Sequence, residues 1–143
     1  MVIETAALCL ALNIFHESRG ESVPGQYAVA QVTMNRAKNN PDRVCKEVFK
    51  PHQFSWTGDV QRTGTRWVIP AHMVKPIKRE PDAWKKAQII ARVTLEGRMQ
   101  DFFAQGATYY HAVRVKPYWA EKFTRVRQLG AHVFYRPALV SHR

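Results

Sequence analysis

An apolar helical pattern over residues 2–17, which stops at Gly20, limits the possible folds of this chain more than any other feature of the sequence. Leu10 and Ile14 recur at helical spacing, and Glu17 follows at a position on the same face. A carboxyl on the apolar face of a helix is buried, and burial raises its pKa because the charged form loses its hydration. A general acid that works near neutral pH needs such a carboxyl. Glu17 is therefore a candidate catalytic acid.

A structural interpretation of the same stretch fits the spacing equally well. In it, Glu17 and Glu21 lie at an exposed helix end and pair with Arg19. Surface pairs of this kind stabilise a helix by only a few tenths of a kcal/mol. Residues elsewhere in the chain are needed to decide whether Glu17 is a catalytic acid or part of a surface ion pair.

Helical patterns continue through the first two thirds of the chain. Ser22 as N-cap and Pro24 in the first turn predict a second helix that runs to about residue 38. Residues 42–50, with Asp42 as a cap, predict a short helix, and residues 82–98 predict a third long helix. The predicted buried face of the second helix consists of Tyr27, Ala30, Met34 and Ala37. Arg36, in its last turn, complements the helix dipole.

Between these helices, residues 57–80 hold glycines, prolines and several basic residues without a clear period. The stretch predicts a long loop, and a loop of that length is usually functional or mobile. The last third of the chain changes to β patterns, with alternation over residues 124–129, a turn at Gly130 and an apolar run over residues 132–135. Two short runs joined at a glycine predict a hairpin. The sequence thus predicts a mainly helical α+β protein with a small β element toward the C-terminus, as one domain over residues 1–143.

The charge of the chain restricts its partners. The net charge is +11, from 22 Lys and Arg against 11 Asp and Glu. This excess predicts an anionic partner, which is nucleic acid, an acidic membrane or an anionic cell-wall polymer. The sequence has no apolar run long enough for a membrane span. Glu4 stands where a signal peptide would carry basic residues, so no signal peptide is predicted.

The sequence lacks the motifs of metal-dependent enzymes and of nucleophile-elbow hydrolases. The six histidines show no His-Glu-x-x-His spacing, and there is no Cys-x-x-Cys, so neither a metal nor another cofactor is predicted. Gly-x-Ser-x-Gly is absent, which argues against a nucleophile-elbow hydrolase. Cys9 and Cys45 are expected to be two small buried thiols rather than a bridge.

Acid catalysis on a sugar is better supported. Aromatic faces stack on the apolar faces of sugars, and amides bind their hydroxyl and acetamido groups. The chain offers such side chains in Asn35, Gln53, Phe54, Trp56, Tyr109, Tyr110 and Trp119. Any one of these aromatic residues, taken alone, is more simply a core residue.

Ordered motifs along the chain resemble those of the SleB-type cell wall hydrolases, which are the spore-cortex-lytic enzymes and their bacterial and phage relatives. His16-Glu17-Ser18-Arg19-Gly20-Glu21 resembles the family's His-Glu-Ala-Arg-Gly-Glu signature. Further similar blocks are Gly25-Gln26-Tyr27-Ala28-Val29-Ala30 with Asn35-Arg36, Val44-Cys45 with Gln53-Phe54-Ser55-Trp56, Ala107 with Tyr110-His111, Pro117 and Trp119, and Gly130 with His132, Phe134 and Tyr135. Ser18 in place of alanine and the basic stretch at residues 57–80 depart from the family pattern.

The resemblance implies a lysozyme-like fold, a peptidoglycan substrate and one essential glutamate, Glu17. Similar enzymes include lytic transglycosylases, which cleave between N-acetylmuramic acid and N-acetylglucosamine. In them one glutamate acts first as acid and then as base, with no cofactor. Glu21 and Arg19 are given supporting roles. The predicted substrate-binding residues are Asn35, Gln53, Phe54, Ser55, Trp56, Tyr110, His111, His132 and Tyr135.

Two alternatives stay open. A hydrolytic lysozyme-type muramidase or glucosaminidase needs a second carboxylate about 5–9.5 Å from the first, and Asp59 is the candidate. The other alternative is a basic, non-catalytic protein that binds nucleic acid or cell wall through interleaved cations and aromatics. No nucleic-acid motif supports it.

The favoured hypothesis is that the protein acts as a monomer on the bacterial cell wall or in the periplasm, without an obligate protein partner. Anionic envelope polymers add attraction through charge. Small size, high charge and the lack of a predicted signal peptide favour a phage endolysin, released by a holin or by another non-classical route.

Overall fold

The computed structural model describes residues 1–50, 54–97 and 101–138, without the side chain of Ser55. Its helices are α1 (Ala6–Ser18), α2 (Val23–Arg36), α3 (Val44–Val48), α4 (Ala71–Arg79) and α5 (Pro81–Leu95). Its strands are β1 (Val2–Ile3), β2 (Gln61–Thr63), β3 (Arg66–Val68), β4 (Tyr109–Ala112), β5 (Thr124–Leu129) and β6 (His132–Arg136). Short 3₁₀ turns span Pro41–Arg43 and Ser55–Thr57. The prediction of an α+β protein is confirmed.

Helix α1 is the centre of the larger hydrophobic core. Every residue from Cys9 to Phe15 is buried, and α2, α3 and α5 pack around it. The helix begins at Ala6, where the Thr5 side chain accepts a hydrogen bond from the Leu8 amide. The prediction that it starts at residue 2 is wrong, because Val2 and Ile3 form strand β1.

Strand β1 pairs antiparallel with β3, which pairs with β2 in turn. The prediction of a long loop over residues 57–80 is therefore wrong. The stretch forms the β2–β3 hairpin, whose turn holds Gly64 at φ 63°, followed by α4, which buries Met73 and Ile77. Strand β3 thus has a hydrogen-bonded partner on each side, and one of them, β1, comes from the N-terminus of the chain.

The predicted second, short and third long helices are confirmed as α2, α3 and α5. Ser22 caps α2 as expected, its side chain accepting from the Gly25 amide. The cap before residue 42 is Asn40 rather than Asp42, because the Asn40 side chain accepts from the Asp42 amide. The predicted end of α5 at residue 98 lies outside the described residues.

The two cysteines form a disulfide, so the expectation of two free thiols is wrong. Cys9 of α1 is bonded to Cys45 of α3, with their Cα atoms 5.2 Å apart. The bond closes across 36 residues of sequence and ties α3 to the central helix. Local sequence gave no sign of this approach, which depends on how α1 and α3 pack.

A second sheet, in the order β4-β6-β5, covers the other side of α2. The predicted hairpin is confirmed as β5 and β6, with an irregularity between Arg125 and Arg127. Phe134 of β6 is fully buried in a second cluster with α2 residues Ala28, Val29 and Val32. Helix α2 is thus buried on two faces, whereas the sequence predicted only the face with Ala30 and Met34. No helix in the described ranges is long and apolar enough to cross a membrane.

Candidate active site

A cleft of about 770 Å³ opens between the C-terminal end of α1, the end of α2 and the second sheet. Its lining combines one buried carboxyl with rings, imidazoles and cations. The residues that line it are His16, Glu17, Ser18, Gly20, Glu21, Arg36, Phe54, Tyr110, His111, Ala112, Arg114, Val115, Ala131 and His132. The motif at residues 16–21 and the C-terminal blocks therefore meet in one place.

Glu17 lies in the last turn of α1 and faces this cleft. Burial raises the pKa of its carboxyl from 4.5 to about 7, while the Tyr110 hydroxyl and the Arg36 charge oppose the rise. Near neutral pH the carboxyl is therefore divided between its protonated and ionised forms. Such a group can give up a proton and take one back within the same reaction.

The Tyr110 hydroxyl is buried beside Glu17 and Asn13, although neither contact has ideal hydrogen-bond geometry. Burial and the neighbouring Glu17 charge raise the pKa of Tyr110 well above its usual value, so the phenol stays protonated. Asn13 is itself fully buried in α1 and accepts a hydrogen bond from the Trp56 indole nitrogen at 3.2 Å. Asn13 thus contacts both Trp56, outside the cleft lining, and Tyr110, which lines the cleft beside Glu17. The sequence signal that would have found it is a polar residue inside an otherwise apolar run.

The positive charge of Arg36 lowers the pKa of Glu17 and so opposes the effect of burial. Its guanidinium donates to the Thr108 carbonyl and lies 5.0 Å from the centre of the Tyr109 ring. The centre of the Phe54 ring lies 5.9 Å from the same guanidinium. From the sequence, Arg36 was expected to complement the helix dipole and to belong to a family motif with Asn35; its approach to the second sheet is not visible in the local pattern.

Glu21 connects the α1–α2 turn to the hairpin across one end of the cleft. Its carboxylate accepts a hydrogen bond from the Ala131 amide at 3.0 Å, and His132 Nδ1 lies 3.2 Å from the same oxygen. Gly130 has φ 56°, and a side chain there would collide with the Glu21 carboxylate. Burial lowers the pKa of His132, and the Glu21 charge opposes that change. Glu21 therefore holds the hairpin turn against the Glu17 turn.

Trp56, a predicted substrate-binding residue, is stacked on His16 and lies outside the cleft lining. Their rings are stacked with centres 4.6 Å apart, and His16 lines the cleft while Trp56 packs on the larger core. Burial and the neighbouring Arg19 charge lower the pKa of His16 to about 4. The imidazole is therefore neutral at physiological pH. In the sequence, His16 stands out only as part of a motif.

Two other predicted site residues, Asn35 and Tyr135, lie outside the cleft lining. Asn35 donates to Asp101 at 3.1 Å and to the Ala107 carbonyl at 2.9 Å, so it anchors the segment that leads into β4. Tyr135 lies behind His111, with a hydrogen bond of 2.9 Å between its hydroxyl and His111 Nε2. Gln53 lies outside the described residues, as does the side chain of Ser55.

The charged candidates outside the cleft have other partners. Asp59 is exposed and lies 3.3 Å from His72. Arg19 pairs with Glu80 at 2.8 Å, which contradicts the interpretation in which Arg19 pairs with Glu17 and Glu21. In the described part of the chain, no group of three or more His, Cys, Asp or Glu side chains is placed to hold a metal ion.

The match to a family model agrees with the motifs between residues 20 and 135. The sequence model of the cell wall hydrolase family matches residues 20–135. A spore cortex-lytic enzyme of Halalkalibacterium halodurans is 27% identical over 128 residues, which cover 87% of this chain and 33% of the relative. The chain thus spans about a third of the length of that relative. No solved structure matches the chain. Because the family match extends over well more than half of its residues, this protein belongs to the SleB-type cell wall hydrolase family.

Proposed function

We propose that this protein degrades peptidoglycan by cleaving the glycan strand between N-acetylmuramic acid and N-acetylglucosamine, as a lytic transglycosylase. The observation that carries the proposal is Glu17, a carboxyl with a pKa of about 7 in an open cleft. The similarity to a spore cortex-lytic enzyme supports the substrate class. The proposal includes a single lysozyme-like catalytic domain over residues 1–143 that acts as a monomer.

The reaction needs one group that serves as acid and then as base. Protonated Glu17 gives its proton to the glycosidic oxygen as the bond to C1 of the muramic residue breaks. The resulting carboxylate then takes the proton from the 6-hydroxyl of the same residue while that oxygen bonds to C1. The product carries a 1,6-anhydro end, no water is consumed, and Glu17 returns to its protonated form.

The surroundings of Glu17 support both steps. Burial keeps a large fraction of the carboxyl protonated for the first step. The positive charge of Arg36 stabilises the carboxylate that remains after the first proton transfer. The Tyr110 phenol stays protonated and is available to donate to the carboxylate.

Hydrolysis by a lysozyme-type mechanism is the second candidate, because another carboxylate, Glu21, lines the same cleft. A hydrolase would use it to activate water or to stabilise the sugar cation. Glu21 is already engaged by the Ala131 amide, and Asp59 is paired with His72 away from the lining. These contacts favour the reaction that needs no second carboxylate.

The proposal is tested by the Glu17→Gln variant, which keeps the shape of the side chain and removes its titrating proton. On purified peptidoglycan we expect the variant to lose at least about a hundred-fold in turnover, since general acid–base catalysis contributes about 10²–10⁴. Glu4→Gln, at an exposed glutamate near the N-terminus, is the matched control and should cleave normally. If Glu17→Gln still clears cell walls at the wild-type rate, the proposal fails. Tight, salt-sensitive DNA binding by an inactive wild type would favour the non-catalytic alternative.

A further inference from the structure

A second groove of about 810 Å³ opens next to the cleft and shares His111 and Val115 with it. We call it the side groove; the lining residues that matter here are His111, Val115, Lys116, Tyr118, Arg125 and Tyr135. Because the two cavities have two residues in common, a branched ligand in the cleft has a direct path into the side groove.

The floor of the side groove is held by packed rings. The His111 and Tyr135 rings are stacked with centres 5.3 Å apart, in addition to their hydrogen bond. The Trp119 ring packs edge-on against Tyr135 at 5.2 Å and stacks on Phe123 at 5.4 Å. A ligand in the groove therefore meets a surface that is already formed.

The rim of the side groove is basic and partly apolar. Lys116 and Arg125 are exposed there, against a single acidic lining residue, Glu121. Tyr118 is 83% exposed, and the Lys122 ammonium lies 5.9 Å from the centre of its ring. Cations beside an exposed aromatic side chain and exposed Val115 suit a ligand that has both carboxylates and short apolar groups.

We propose that the side groove binds the acidic stem peptide carried by the muramic residue next to the scissile bond. The inference rests on the proposed function. In peptidoglycan the lactyl carboxyl of muramic acid is used in the amide bond to the peptide, so the glycan strand carries no charge there. The free carboxylates belong to the stem peptide, which branches from the sugar ring. A basic groove that joins the cleft at His111 is placed to receive that branch.

The test compares two substrates, peptidoglycan with intact stem peptides and glycan strands from which an amidase has removed them. Both are freed of other wall polyanions beforehand. The double variant Lys116→Gln, Arg125→Gln is expected to raise KM about five-fold on the peptide-bearing substrate, with kcat little changed, because two exposed charge interactions are lost. On stripped glycan its KM should equal that of the wild type. The control Lys85→Gln, Lys86→Gln removes the same charge from exposed positions of α5 and should affect both substrates equally.

An equal loss on both substrates, or on neither, overturns the inference. A direct measurement separates it from the proposed function: a synthetic stem tetrapeptide is added to the Glu17→Gln protein and the ring signals of Tyr118 and His111 are followed by NMR. Shifts of these signals that disappear in the double variant support the inference even if the wild type proves unable to cleave glycan. Absence of shifts at millimolar peptide contradicts it even if cleavage is confirmed.

Discussion

Replacing Glu17 by glutamine should stabilise the folded protein in a pH-dependent way. Burial raises the pKa of this carboxyl from 4.5, its ordinary value, to about 7. At 1.36 kcal/mol per pKa unit, ionised Glu17 then costs the folded state about 3 kcal/mol. Since the folded-state pKa is the higher one, this cost is absent below pH 4.5, grows as the pH rises, and is complete above about pH 7. A neutral glutamine never incurs it.

Urea denaturation of wild type and Glu17→Gln at about pH 4 and about pH 8 measures this cost. Any fixed effect of the amide on packing contributes equally at both pH values, so the informative quantity is the change in the stability difference. We expect the variant to gain about 3 kcal/mol relative to wild type between the two values. Glu4→Gln, at an exposed position, should show little change. A difference that does not vary with pH would refute a buried carboxyl with a raised pKa.

Three further predictions follow from the site and its supports. Arg36→Met removes the charge that lowers the pKa of Glu17, so the alkaline limit of a pH–activity profile should move to higher pH; an unmoved limit would argue against the interaction. Gly130→Ala should destabilise the protein by at least about 1 kcal/mol, from positive φ and the clash with Glu21, and the loss should be smaller in a Glu21→Ala background when a double-mutant cycle is measured by denaturation. Reduction of the disulfide between α1 and α3 should cost about 4 kcal/mol, because it releases a loop of 36 residues; an unchanged urea midpoint in reductant would contradict this.

Local sequence patterns were sufficient to predict the features that depend on residues close together in the chain. The cap at Ser22, the hairpin turn at Gly130 and the inward direction of Glu17 all depend on neighbours within a few residues, and all three agree with the structure. These features identify the two halves of the cleft before their arrangement is known.

The features that sequence reasoning missed depend on partners far apart in the chain. Val2 pairs with Val68, and Cys9 bonds to Cys45, so neither β1 nor the disulfide has a local signature. The contact between Arg36 and Thr108, which lie 72 residues apart, likewise has no local signature.

Two site candidates, Asn35 and Asp59, have partners elsewhere in the chain that local sequence could not indicate. Asn35 was expected at the cleft because of its amide side chain, and Asp59 because it follows the block from Phe54 to Trp56. In the structure, Asn35 donates to Asp101 and Asp59 lies against His72. Sequence order indicated the right blocks and could not indicate which side chain of each block faces the cavity.

The central claim is that Glu17 transfers a proton without a water molecule entering the product. Digestion of purified peptidoglycan in water enriched in heavy oxygen, followed by mass spectrometry of the released sugar ends, tests it most directly. If Glu17 acts in this way, the wild-type digest contains 1,6-anhydro muramic ends without the heavy label, and the Glu17→Gln digest lacks them. Reducing ends that carry the heavy oxygen would contradict this claim and would assign hydrolysis to the cleft instead.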